Sequence, residues 1–285
     1  MLNIMDEAIL TAWNSARTGG SVLLAGYESG LVNRANGNKE ETDYPLMAEQ
    51  AILKLISEAF PDHRILSAGR GDQVLSASGS SPVWYVNALD GDFNYRRNSP
   101  FFSISIGLLS HDEKGRLRPL LAVVLAPALM EMFWATLGGG AHYCQQVPGI
   151  GLTDGPISVS DTGRAERAVV RTHIFQDSKR EKGDSERESR IQSEVMSFSK
   201  EASASLNLAY VAAGRADAFY STKLSPLSAV PATLLVTEAG GEVSDYQGKP
   251  YSLNDNFEIL ASNRLLHERL LELLGRSDGQ KAMLC

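Results

Sequence analysis

Apolar residues in the first sixty positions recur at helical spacing. Ile4, Ala8, Ile9, Ala12 and Ala16 share one face of a helix expected from Leu2 to about Leu24, in which Gly19-Gly20 reads as a break or C-cap. Leu46, Ala51, Ile52, Leu55 and Ile56 mark a second amphipathic helix that stops at Pro61. Between the two, Glu28 to Thr42 is polar and glycine-containing and reads as a loop or weak hairpin. Farther on the period changes. Val83 to Val86, Phe101 to Leu109, Leu117 to Leu125 and Met130 to Thr136 are runs of strand length, and the charged segment His111 to Gly115 makes a hairpin turn between two of them.

Gly138-Gly139-Gly140 and the residues that follow to Gly155 read as loop, which sets a boundary between an N-terminal α+β part, residues 1–152, and a C-terminal α/β part, residues 153–285. In the second part Arg167 to His173 reads as a buried strand. Ser178 to Arg190 is a solvated loop leading into a helix to about Phe198, Ser203 to Ala213 a further helix, and Ala216 to Tyr220 a short strand. Leu227 to Ala239 is an apolar helix closed by Gly240-Gly241, and Leu265 to Leu274 a terminal amphipathic helix. Strands alternating with helices predict an α/β fold.

Composition narrows the function classes. The chain has 285 residues, of which 43% are hydrophobic, enough to bury a large core in two subdomains. A net charge of −7 with both signs interspersed gives no footprint for nucleic acid or an anionic membrane. The longest apolar stretch, Pro119 to Ala135, is interrupted by Pro127 and Glu131 and reads as two strands meeting at a turn, so no membrane span is expected. Cys144 and Cys285 are too far apart for a metal motif, and Met1 to Leu24 lacks a signal-peptide pattern; a reducing cytoplasm is the expected setting.

Candidate chemistry gathers in Asn87-Ala88-Leu89-Asp90-Gly91-Asp92, between a strand and a helix start, with Arg96 and Arg97 behind it. Asp90 reads either as a ligand for a hard cation or as a helix N-cap. His63, His111, His142, His173 and His267 are scattered without ligand or triad spacing, and Gly138-Gly139-Gly140 lacks the lysine of a phosphate loop.

Several segments, in order, resemble the inositol monophosphatase family: Phe60 to Leu66 (FPDHRIL), Trp84 to Asn94 (WYVNALDGDFN), Pro100 to Leu108 (PFFSISIGL), Ile157 to Asp161 (ISVSD), Ser203 to Tyr220 (SASLNLAYVAAGRADAFY) and Thr237 to Val243 (TEAGGEV). The resemblance implies a layered αβαβα sandwich of the sugar-phosphatase type, a site at the subdomain junction and a homodimer. It also implies Mg²⁺ ions that activate water against a small phosphomonoester, such as an inositol phosphate, a sugar phosphate or 3′-phosphoadenosine 5′-phosphate.

Carried over residue by residue, it makes Asp90, Asn87 and Leu89 the metal positions, Asp90 and Asp92 the catalytic ones, and Gly91, Asp92, Arg70, Arg96 and Arg215 the substrate-binding ones. The departures fall on the chemistry. The family's glutamate pair after the Arg64 to Leu66 strand is absent, its first loop aspartate is Asn87, its threonine is Asp92, and its Trp-Asp before the apolar helix is Leu227-Ser228. A further acidic position is Pro45, with Asp43 nearby. Asp90 alone survives of four metal carboxylates. Three readings follow: a degenerate member that binds an anionic ligand or acts as a scaffold, with arginines in place of metal; a phosphatase whose single metal is held by Asp90, Asp92 and Asp72 or Asp43; or another reaction with Asp90 or Asp92 as general base.

Overall fold

A computed structural model describes residues 4–29, 43–68, 81–147, 149–173, 183–222, 224, 226–251 and 258–275. Two helices open the chain, α1 (Ile4–Ser29) and α2 (Tyr44–Ala59). Seven strands follow: β1 (Arg64–Ser67), β2 (Val83–Asp90), β3 (Ser103–His111), β4 (Leu117–Ala126), β5 (Glu131–Thr136), β6 (Gly140–Val147) and β7 (Gly151–Ile157), with the one-turn helix α3 (Asp92–Arg96) between β2 and β3. They form one sheet in chain order, antiparallel except for the parallel β1–β2 pair.

The second sheet has the order β11-β12-β10-β8-β9, from β8 (Val169–His173), β9 (Ser197–Glu201), β10 (Ala218–Ser221), β11 (Glu242–Ser244) and β12 (Ile259–Ser262). Its helices are α4 (Asp184–Glu194), α5 (Ala204–Ala212), α6 (Pro226–Glu238) and α7 (His267–Leu274). The layers run α1 and α2, first sheet, α5 and α6, second sheet, α4 and α7. This is the αβαβα sandwich that the resemblance implies.

Both faces of the first sheet are buried, which is why its strands read as continuous apolar runs. Along β2, Trp84 and Val86 pack toward α1 and α2, whereas Val83 and Tyr85 meet Leu227 and Val230 of α6. Along β4, Leu121 and Val123 face the first helix layer and Ala122, Val124 and Ala126 the second. The α5–α6 layer is apolar all round because it lies between two sheets.

Three expectations need correction. The first helix does not break at Gly19-Gly20 but runs through to Ser29. Its glycines serve close packing: a Cβ on Gly19 would lie 2.6 Å from Ile52 Cδ1, and one on Gly20 2.8 Å from Leu125 Cδ2. The segment taken as a boundary loop forms the β6–β7 hairpin, so the chain leaves the first sheet after Ile157. Its half-exposed edge position tolerates the glycines and polar residues that disguised it. The helix expected to reach Phe198 ends at Glu194, and Phe198 belongs to β9, paired with Val170. The expected loop over 28–42 lies outside the described residues except for its first two positions, and residues 178–182 of the solvated segment lie outside them too.

Candidate functional site

The NALDGD stretch closes β2 at the edge of the first sheet. Register against β3 slips between Asn87 and Asp90, a bulge that turns consecutive side chains out of the strand's strict alternation. Asn87 Oδ1 accepts from Leu89 N at 3.3 Å, fixing the bend. Gly91 then adopts φ +96°, and a Cβ there would stand 3.1 Å from both the Phe101 carbonyl oxygen and Ser203 Cβ. Only glycine fits both constraints.

Asp90 is 6% exposed, and its carboxylate reaches across the junction to the start of α5. Oδ2 accepts from Ser205 N at 2.8 Å, from Ser203 Oγ at 3.1 Å and from Ser205 Oγ. A carboxylate at a helix N-terminus satisfies an orphan donor and complements the helix dipole. Asp90 therefore caps α5 from a distant strand. The short helix that follows it takes Gly91 as N-cap, with no side-chain bond. Ser103 Oγ joins the same cluster, 2.7 Å from Ser203 Oγ and 3.1 Å from Ser205 Oγ.

Asn87 Nδ2 donates to Ser228 Oγ at 2.8 Å across the junction. Thus two positions where the resemblance implies metal aspartates hold a neutral amide and a hydroxyl that satisfy each other. Asp92 is exposed and pairs with Arg96 at 2.8 Å, a solvent-screened i,i+4 contact. Arg97 stacks over the exposed Phe93 ring, 5.5 Å from its centroid. Asp43 is the N-cap of α2, accepting from Leu46 N at 3.1 Å, and Glu49, 3% exposed, receives the Ser67 hydroxyl. Asp43, Glu49, Asn87, Leu89 and Asp92 line one cleft of about 290 Å³. Arg70 and Asp72 lie outside the described residues.

Arg215 belongs to a different cluster. Its Nη1 lies 2.5 Å from Glu131 Oε1, and its guanidinium stacks over Tyr143 and Tyr210 at 4.7 and 4.9 Å. Tyr143 and Tyr210 both donate to Glu131, which is 5% exposed. Burial would lower the Arg215 pKa, but its bonds to Glu131 and Tyr143 outweigh that and raise it; burial and Glu131 push Tyr210 up to about 12. Asp217 receives Ser160 Oγ and, at 2.6 Å, Val169 N, fastening the turn before β10 to β8.

Mg²⁺ asks for several hard, preferably anionic oxygens in octahedral array. Among the described residues, no three His, Cys, Asp or Glu side chains come together in a way that could hold a metal. Asp90 has one oxygen fully engaged, Asn87 and Ser228 are neutral and mutually bonded, and Asp43 is turned to its own helix. This donor set does not fit a multi-metal centre. The serines that define the site, Ser203, Ser205 and Ser228, carry no chemical signature in the sequence; only the run of small hydroxyl residues ahead of α5 hints at a polar cluster.

The profile of the inositol monophosphatase family matches residues 5–278. A Nus factor SuhB from Pseudomonas aeruginosa is 32% identical over 273 residues, covering 94% of this chain and 95% of that protein. An inositol-1-monophosphatase from Bacillus subtilis is 29% identical over 243 residues, covering 85% and 86%. The solved structure of an inositol monophosphatase from Anabaena superposes with a TM-score of 0.76 at 27% identity, covering 98% of this chain and 100% of that one.

Proposed function

Because the chain belongs to the inositol monophosphatase family, we propose that it is a catalytically silent member, one that keeps the fold and works as a ligand-binding or scaffold protein. The observation that carries this reading is the 2.8 Å hydrogen bond between Asn87 and Ser228, made where two metal carboxylates would face each other. A neutral pair supplies dipoles to a divalent cation but no charge. The second support is Asp90, whose Oδ2 is spent on capping α5. Asp92 adds a negative side chain at the phosphate loop, which repels a phosphomonoester unless a cation intervenes.

Family membership leaves turnover open, since function resides in the site rather than the scaffold. Relatives of comparable similarity carry the names Nus factor and inositol-1-monophosphatase. A second reading is a single-metal phosphatase, for which the carboxylates of Asp43, Glu49 and Asp92 line one cleft without forming a three-carboxylate cluster. Division into two parts, with the boundary after Ile157 rather than between 152 and 153, and assembly as a homodimer belong to the same proposal. Assaying the full chain with Mg²⁺ against inositol monophosphate, a sugar phosphate and 3′-phosphoadenosine 5′-phosphate separates the readings. The silent reading expects rates equal to a protein-free control; Mg²⁺-dependent turnover that Asp90→Asn abolishes overturns it.

A further inference from the structure

Arg171, on β8, is half-buried, yet no carboxylate among the described residues lies within ion-pair distance of it. Its Nε is buried without a hydrogen-bond partner, and Nη1 makes only a long 3.5 Å contact to Asn207 Oδ1. The guanidinium plane is held by aromatic rings, 5.4 Å from the Phe101 centroid and 5.1 Å from that of Tyr210. Burial lowers its pKa, against smaller opposing effects of Glu201 and Tyr210. Buried cations are ordinarily paired, and stacking on rings does not replace five N–H bonds.

The position of this cation matters as much as its isolation. Asn207 Nδ2 donates to the Ser203 carbonyl at 2.9 Å, and Ser203 Oγ donates to Asp90 at 3.1 Å. A continuous polar chain thus links Asp90 to Asn207 and on to Arg171, along the first turn of α5. Phe101, whose ring supports Arg171, also packs its carbonyl against Gly91. Asn207 turns its amide nitrogen to the backbone and its oxygen to Arg171, so it orients the guanidinium rather than competing with it for an anion.

We propose that Arg171, oriented by Asn207 and held flat by Phe101 and Tyr210, is the recognition group for an oxyanion, a phosphate or sulfate group, bound at the subdomain junction without a metal. A planar fork of donors matches a tetrahedral oxyanion through paired, charge-assisted bonds, which a lysine ammonium cannot reproduce. The inference does not depend on whether turnover is lost, because Arg171 takes no part in metal binding.

The test is a calorimetric titration of the full chain with inorganic phosphate, in chelator-treated buffer free of divalent cations. Arg171→Met keeps the apolar stem against the rings and removes the fork; Arg171→Lys keeps charge; Arg116→Met controls for loss of an exposed arginine, one paired with Asp112 in the β3–β4 turn. Wild type and Arg116→Met should bind alike, with affinity about tenfold or more lower in Arg171→Met and reduced in Arg171→Lys. Phosphate should also raise the melting temperature of wild type but not of Arg171→Met. Absence of phosphate binding by wild type overturns the proposal, as does unchanged affinity in a folded Arg171→Met. Should Arg171→Met fail to fold, unchanged affinity in Arg171→Lys overturns it equally. Turnover with Mg²⁺ would reject the silent reading and leave this result standing.

Discussion

Asn87 and Ser228 carry the argument at the scale of single residues, because their mutual bond replaces mutual repulsion that a cation would have to relieve. Substituting both with aspartate beside Asp90 restores that need. In chelator, Asn87→Asp with Ser228→Asp should be less stable than wild type by about 2–3 kcal/mol, since a buried hydrogen bond becomes a like-charge contact. Mg²⁺ should return much of that stability, read as a cation-dependent rise in melting temperature absent from wild type. His63 makes a separate prediction. Its Nδ1 accepts from Trp84 Nε1 at 3.2 Å, and burial lowers its pKa from 6.5, against a smaller opposing effect of Asp62. The unfolded chain therefore takes up this proton first as pH falls. The stability that His63 contributes is intact above 6.5 and is lost as pH drops toward the folded-state pKa. Urea denaturation at neutral pH and at about pH 5 should show a fall that His63→Gln reduces.

Among the elements, α6 leaves its neighbour β3 little room. A Cβ on Gly107 of β3 would stand 2.7 and 2.8 Å from Pro231 Cβ and Cγ, and 3.2 Å from the Leu121 carbonyl oxygen. A proline ring and a strand backbone cannot give way, so Gly107→Ala should cost about 2–3 kcal/mol in chemical denaturation. Gly19→Ala meets the flexible end of Ile52 and gains helix propensity, so its cost should be smaller, about 1 kcal/mol. Much at this scale was legible in the sequence. The α2, β3, β4, β5, α5 and α6 segments were readable because burial on both faces, or on one strong stripe, leaves a continuous or periodic apolar pattern. The β6–β7 hairpin was hidden by its exposed edge, and β11 and β12, three and four residues long, were too short to show a period. In the site, the loop announced itself by composition. Its partners Ser203, Ser205 and Ser228 did not, because they lie more than a hundred residues away and serine hydroxyls are common everywhere.

For the whole molecule, the layered sandwich brings the end of β2 and the start of β3 against the starts of α5 and α6, so one junction gathers Asp90, Asn87, Ser228 and the serines at the start of α5. The fold is that of the family; at its junction Asn87 and Ser228 form a neutral pair beside the Asp90 carboxylate. Clusters away from the loop hold the layers together. Arg215 with Glu131, for example, ties the turn after α5 to the start of β5, and Arg215→Met should cost about 3 kcal/mol by stranding a buried carboxylate. Arg187 and Arg190 of α4 donate to the Leu274 and Leu273 carbonyls at the end of α7, satisfying acceptors that a helix terminus leaves open. The central claim concerns the junction alone, and a calorimetric titration of wild type and Asp90→Asn with Mg²⁺ tests it most directly. The account predicts superimposable traces with no saturable binding in either protein. Saturable Mg²⁺ binding by wild type that disappears in Asp90→Asn would contradict it.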